Sequence, residues 1–218
     1  MIKILGSLIV IFAGIGFGFH KAAKEQKRLE QGIAIKRMLY LLQGEIRYGF
    51  TPLPEAVLKI STKTEKEYQP FLKKVAKQLE THSEESFAKV WEQTLEQKLK
   101  NILYEPKFYE ILKNMGETIG YLDQQMQEKT ILLTIEQLDD QIFLIKDQVI
   151  KNCKMYRSLG ISLSVLIVII LLKHFAPQDS VLSSAAILFG ILAGYVVAVI
   201  MTLVLPTVGI NADGAEYT

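Results

Sequence analysis

The chain of 218 residues is short of several things that small proteins use to fold or to react. Its single cysteine, Cys153, excludes an internal disulfide and leaves two readings, an inert small apolar side chain or an acylated thiol where a helix nears a membrane. Its histidines, His20, His82 and His174, lie far apart with no Asp or Glu at zinc-ligand spacing, so no metal site is legible. No Walker-type lysine loop is present, and no serine comes with a histidine motif. Gly14, Gly16 and Gly18 of "AGIGFGF" follow no strand and sit in an apolar run, which removes a phosphate cradle. Asp139 and Asp140 are adjacent and so point to different parts of a helix surface, a poor catalytic pair. These absences predict a chain that is not an enzyme and takes neither cofactor nor metal.

What the chain has instead is apolar length. Residues 4–19 carry no ionisable side chain and are followed by His20, Lys21, Lys24, Lys27 and Arg28. No small-residue cleavage site follows Phe19, so an uncleaved anchor at residues 1–20 is expected over a signal peptide. A second run, 158–172, is short but flanked by Tyr156 and Phe175, giving an expected span at 158–174. A third, 181–205, is long enough alone, and an acidic tail, 207–218, follows Pro206. Lysine and arginine gather on the domain side of the first two spans, which places residues 21–157 in the cytoplasm, and the short 173–180 loop before a third span returns the tail to that side. The net charge of +2 is then a juxtamembrane effect and implies no nucleic-acid partner.

The middle segment reads as helices, with no strand alternation to compete. Leu29, Ile33, Ile35, Leu39, Leu42 and Ile46 form the apolar face of a helix leaving the first span. In "YGFTPLPEA", Gly49 stops that helix, Pro52 keeps the chain extended, and Pro54 with Glu55 opens the next, through about Ile60. Another helix is expected over 65–79. Ser83 is the expected N-cap of a helix whose stripe is Phe87, Val90, Trp91, Leu95, Leu99 and Ile102. Pro106 opens a further one bearing Phe108, Ile111, Leu112 and Met115. Ile131, Ile135, Leu138, Ile142, Ile145 and Val149 step by three and four along a last, long helix. The fold class is all-α: a membrane-anchored antiparallel bundle of about six helices, flanked by transmembrane helices.

"LLQGEIRYGFTPLPEAVLKI", "FYEILKNMGETIGYLDQQMQEK" and "KMYRSLGISLSVLIVIILL", in this order behind an apolar N-terminus, resemble the stage III sporulation protein AB family over residues 1 to about 172. The two turn motifs also resemble the cytoplasmic bundle of inner-membrane platform proteins of type II secretion and type IV pilus systems. The resemblance implies a platform or scaffold in the channel between mother cell and forespore of a spore-forming bacterium. It implies as partners the membrane, a secretion-type ATPase and other channel subunits, with a homo-oligomer admitted. The alternative is a channel or transport subunit whose helices line a path. A lined path favours ionisable residues, and the spans offer only Ser7, Ser162, Ser164, Ser183, Ser184, Tyr195 and Thr202. The residues after 172 depart from the family pattern.

Three groups of residues carry the structural expectations. Gly116 and Gly120 are predicted at a helix-to-helix corner that needs positive φ or close chain approach, with Glu117 capping or bracing it, as a counterpart of the Gly49, Pro52 and Pro54 turn. Phe50, Leu53 and Tyr121 are expected at the bundle end far from the membrane, either packing the tip or contacting a partner. Ala186, Gly190, Gly194 and Ala198 line one stripe of the third span, and Gly14 with Gly18 repeats the spacing in the first. That spacing suits close packing in lipid, against the first span or another copy.

Overall fold

The computed structural model describes residues 2–81 and 85–175, and the third span, its Ala186, Gly190, Gly194 and Ala198 stripe and the tail lie outside them. The described residues form six helices and no strand: α1 (Ile2–Arg47), α2 (Leu53–Ile60), α3 (Gln69–Thr81), α4 (Phe87–Lys98), α5 (Pro106–Ile119) and α6 (Gln124–Phe175). They divide into two compact units, Lys27–Asp147 and the pair of segments Met1–Gln26 with Gln148–Thr218.

In the unit Lys27–Asp147, consecutive short helices pack on one another, α2 on α3, α3 on α4 and α4 on α5. The expected faces of the long helices go inward: Ile35, Leu39, Leu42 and Ile46 of α1 and Ile131, Ile135, Leu138 and Ile145 of α6 are buried in one core. Leu29 and Ile142 pack at its margin, while Ile33 is exposed. Trp91 is the centre of the short helices. Its indole N–H donates to the Leu112 carbonyl at 2.8 Å, and its ring meets Phe71 edge-on at 4.8 Å and stacks on Phe87 at 5.5 Å. Such a ring stabilises by both area and geometry, with its one polar atom satisfied.

Polar ties set the register. Gln31, buried on α1, donates to the Ile102 carbonyl (3.0 Å) and accepts from the Tyr104 amide (2.9 Å), so one side chain pins the α4–α5 link. Arg28 pairs with Glu105, whose carboxylate also accepts from the Lys107 amide (3.3 Å) and caps α5. Lys36 pairs with Asp139 and Arg47 with Glu128 (3.3 Å). Positions rise along α1 as they fall along α6, so the two run antiparallel here.

Some boundaries differ from expectation. The third helix begins at Gln69, because the polar 61–68 segment closes its own turns, Thr64 on Ile60 and Tyr68 on Glu65. The cap of α4 is Ser86, which accepts from the Lys89 amide; Ser83 lies outside the described residues. Ile102 falls past the end of α4 and is exposed, so it leaves the predicted stripe.

In the unit Met1–Gln26 with Gln148–Thr218, α1 and α6 meet through small residues. Gly18 is buried, and a Cβ there would come within 2.7 Å of the Tyr156 carbonyl and 3.0 Å of Gly160 Cα. A Cβ on Gly160 would come within 2.8 Å of the Gly14 carbonyl, and one on Gly14 would strike Ser164. The Gly14 and Gly18 stripe therefore faces Gly160 and Ser164 of α6, a partner not foreseen although Gly160 and Ser164 also repeat at the four-residue spacing. Cys153 is hydrogen-bonded to the Ala22 carbonyl (3.2 Å) and Asn152 to Glu25 (3.2 Å). Among the described residues, one helix, α6, is long and apolar enough to cross a membrane by length and composition.

Candidate partner interface at the bundle tip

The end of α1 and the start of α6 come together within the unit Lys27–Asp147. The Gln124 amide donates to the Ile46 carbonyl at 2.6 Å, and Gln127 donates to the carbonyls of Leu122 (3.1 Å) and Ile119 (3.4 Å). One side chain thus closes α1 and another closes α5, whose final carbonyls have no helical partner. Asp123 caps α6 by accepting from the Met126 amide at 2.9 Å.

Gly49 does not supply the left-handed residue of its turn. No described glycine has positive φ, and Phe50 does, at 49°. Gly49 serves close approach: a Cβ there would sit 2.6 Å from the Glu45 carbonyl and 2.8 Å from Thr51 Oγ1. The chain then enters α2 through Pro52, extended at φ −54° and ψ 145°, with Pro54 in the first turn. A phenylalanine in the left-handed region is strained, at a cost of about 1–2 kcal/mol. The turn is held by the Thr51 amide on the Glu45 carbonyl (3.3 Å) and by Lys59 on Thr51 Oγ1 (3.2 Å). Lys63 donates to Glu45 at 2.6 Å, and that hydrogen bond holds the Glu45 carboxyl below its ordinary range against a smaller opposing effect of burial.

The second corner corrects the reading of "NMGETIGYLDQQ". Gly116 is buried inside α5, not at the corner, and a Cβ there would enter the Trp91 ring. Gly120 does end α5, but in right-handed geometry (φ −69°), and its missing Cβ makes room for Phe87 Cβ at 2.7 Å. Glu117 neither caps nor braces the turn. Its side chain is exposed and faces Lys113 at 3.8 Å along the same helix.

The three expected tip residues separate. Leu53 is buried in the core, which is the packing role of the two expected for it. Phe50 is 77 % exposed and Tyr121 74 %, and Tyr48, missed as a candidate although it adjoins Gly49, is 75 % exposed. The Arg47 guanidinium lies 5.1 Å over the Tyr48 ring. Phe50 borders an open cleft of about 550 Å³ floored by Pro52, Leu53, Leu79, Phe87 and Gly120. The cleft is lined by polar as well as apolar side chains, Thr51, Glu85, Gln124 and Gln127 among them, with the exposed Phe50 at its edge. Among the described residues no group of three His, Cys, Asp or Glu side chains could hold a metal ion.

The profile of the Stage III sporulation protein AB family matches residues 3–172. The chain belongs to that family. It is 30 % identical over 172 residues to the Stage III sporulation protein AB of Bacillus subtilis (strain 168), covering 79 % of this chain and 100 % of that one. A solved structure of a Stage III sporulation protein AB is similar at a TM-score of 0.51 and 27 % identity, covering 57 % of this chain and 97 % of that one. Residues after 172 lie beyond the family match, where the sequence departs from the pattern.

Proposed function

We propose that the chain is a membrane platform of the mother cell to forespore channel. It is a non-catalytic scaffold that couples a secretion-type ATPase to the other channel subunits. The bundle lies in the cytoplasm, and the apolar ends of α1 and α6 lie in the membrane around the forespore. Family membership supports the setting, and the aromatic tip supports the role. Tyr48, Phe50 and Tyr121 are all exposed, and the turn after α1 keeps Phe50 at positive φ. Where a partner covers such aromatics, one side chain often dominates binding. The lined-path reading draws less support: Ser162 and Ser164 of α6 spend their hydroxyls on the carbonyls of Ser158 and Gly160, one turn back in the same helix.

The test is binding of the purified ATPase to the full chain in detergent. Phe50→Ala with Tyr121→Ala should weaken binding at least tenfold while helicity and Trp91 emission stay as in the parent. Undiminished binding by the folded double variant would overturn the role of the tip.

A further inference from the structure

Between Ile131 and Asp147, α6 has two faces of different character. One enters the core through Ile131, Ile135, Leu138 and Ile145. The other exposes Leu132, Leu133, Phe143 and Leu144, the last three at 58 %, 77 % and 65 %. Leu132 and Phe143 lie about three turns apart on one line of the helix, and Leu133 and Leu144 lie likewise on a second line. Between the two lines runs a row of exposed carboxylates, Glu136, Asp140 and Asp147. Lys36 takes the neighbouring Asp139, and no described cation pairs with the row.

Such a face is costly to leave in water, because large apolar side chains recur along it without a core to enter. Lipid does not cover it: Phe143 precedes residue 158, where the expected span begins, by about four helical turns, roughly 20 Å along α6. A second copy fits poorly. Two copies anchored in one membrane would meet about an axis normal to it and set each carboxylate row against its equivalent. What matches the face is a helix whose apolar residues flank a row of lysines or arginines.

We propose that the outer face of α6 from Leu132 to Asp147 docks a basic amphipathic helix of another protein. The leucines and Phe143 supply the apolar contact, and Glu136, Asp140 and Asp147 set the partner's charge and register. This surface is separate from the tip and does not depend on it.

The test places a photo-crosslinking amino acid at Gln137, an exposed neighbour of the face, in the full chain within membranes of the sporulating bacterium. The expected adduct is heavier than the chain and differs in mass from a homodimer. Its mapped partner peptide carries apolar residues interleaved with lysine or arginine. Asp140→Lys with Asp147→Lys should reduce it at least fivefold, as should Phe143→Ser with Leu144→Ser, while Trp91 emission shows the bundle intact. Reversing the charge of the mapped partner segment should restore the adduct to the lysine variant. No adduct, an adduct of homodimer mass, one to lipid, or one indifferent to the charge reversal would each overturn the proposal.

Discussion

Between residues 27 and 147, α1 and α6 press isoleucine, leucine and methionine side chains into a core that excludes water. In the other unit, the same two helices meet at Gly14, Gly18, Gly160 and Ser164. The membrane setting proposed for the second unit accounts for the difference. In water, burying large side chains is itself favourable, by about 25 cal/mol per Å² of apolar area, so long helices gain by presenting bulk. In lipid that gain disappears, and helices associate through backbone approach and packing, which small residues permit. One pair of helices thus changes its packing rule along its length. Glycine appears on both sides of the comparison for a shared reason, close approach: Gly116 makes room for the Trp91 ring, and Gly18 makes room for the α6 backbone.

Placing the same substitution in both regions separates them. Gly116→Val would drive a branched side chain into the fully buried Trp91, an overpacking of about 3 kcal/mol with no flexible neighbour to yield. At roughly 4 °C per kcal/mol, the melting temperature should fall by about 12 °C. Trp91, the single tryptophan, allows the transition to be followed by its emission. A change under about 3 °C would mean that α5 is free to retreat from the ring, and the contrast with Gly18 would lose its basis.

Gly18→Val should leave that Trp91-detected transition unmoved and act only where α1 meets α6. Cys153 is hydrogen-bonded to the Ala22 carbonyl, which makes Ala22→Cys the variant to try for an oxidative crosslink to the native cysteine. Adding Gly18→Val should reduce the yield of that crosslink by roughly fivefold, because its Cβ meets backbone, which cannot swing aside as a side chain can. An undiminished yield would show that the small residues do not hold the two helices together.

The smallest effect is electrostatic and confined to the bundle. Glu45 has its folded-state pKa lowered, chiefly by the hydrogen bond from Lys63. The stabilisation is therefore present above the unfolded carboxylate pKa and is lost as pH falls through the lowered folded value. Both partners remain partly solvated, so the pair contributes about 0–1 kcal/mol. Lys63→Gln should raise the Glu45 pKa, read by NMR titration of its side chain, and flatten the acid limb of stability slightly. An unmoved Glu45 titration would remove Lys63 as the cause.

The all-helical class was legible because hydrophobic spacing is a local property. Ile131, Ile135, Leu138, Ile145 and Val149 are all buried as their steps of three and four require. The turn between α1 and α2 was legible because proline restricts its own φ and its predecessor's backbone wherever it stands. The candidate interface was only half legible. Phe50, Leu53 and Tyr121 flank the two corners, yet Leu53 turned inward and the aromatics outward.

By itself, the sequence determined which segments are helical, where Pro52 and Pro54 redirect the chain, and that glycine had to stand at 116 and 120. Only the tertiary structure decided what those glycines are for. A missing Cβ answers either a backbone angle or a neighbour, and no described glycine here has positive φ, so the neighbours, Trp91 and Phe87, are the cause. Tertiary structure likewise decided that Gly14 and Gly18 face α6, and that a phenylalanine takes the left-handed position of its turn. It also decided that Phe143 and Leu144 point to solvent while Ile145 beside them is buried. Each of these depends on which element stands opposite, and that is set by contacts between residues far apart in the chain.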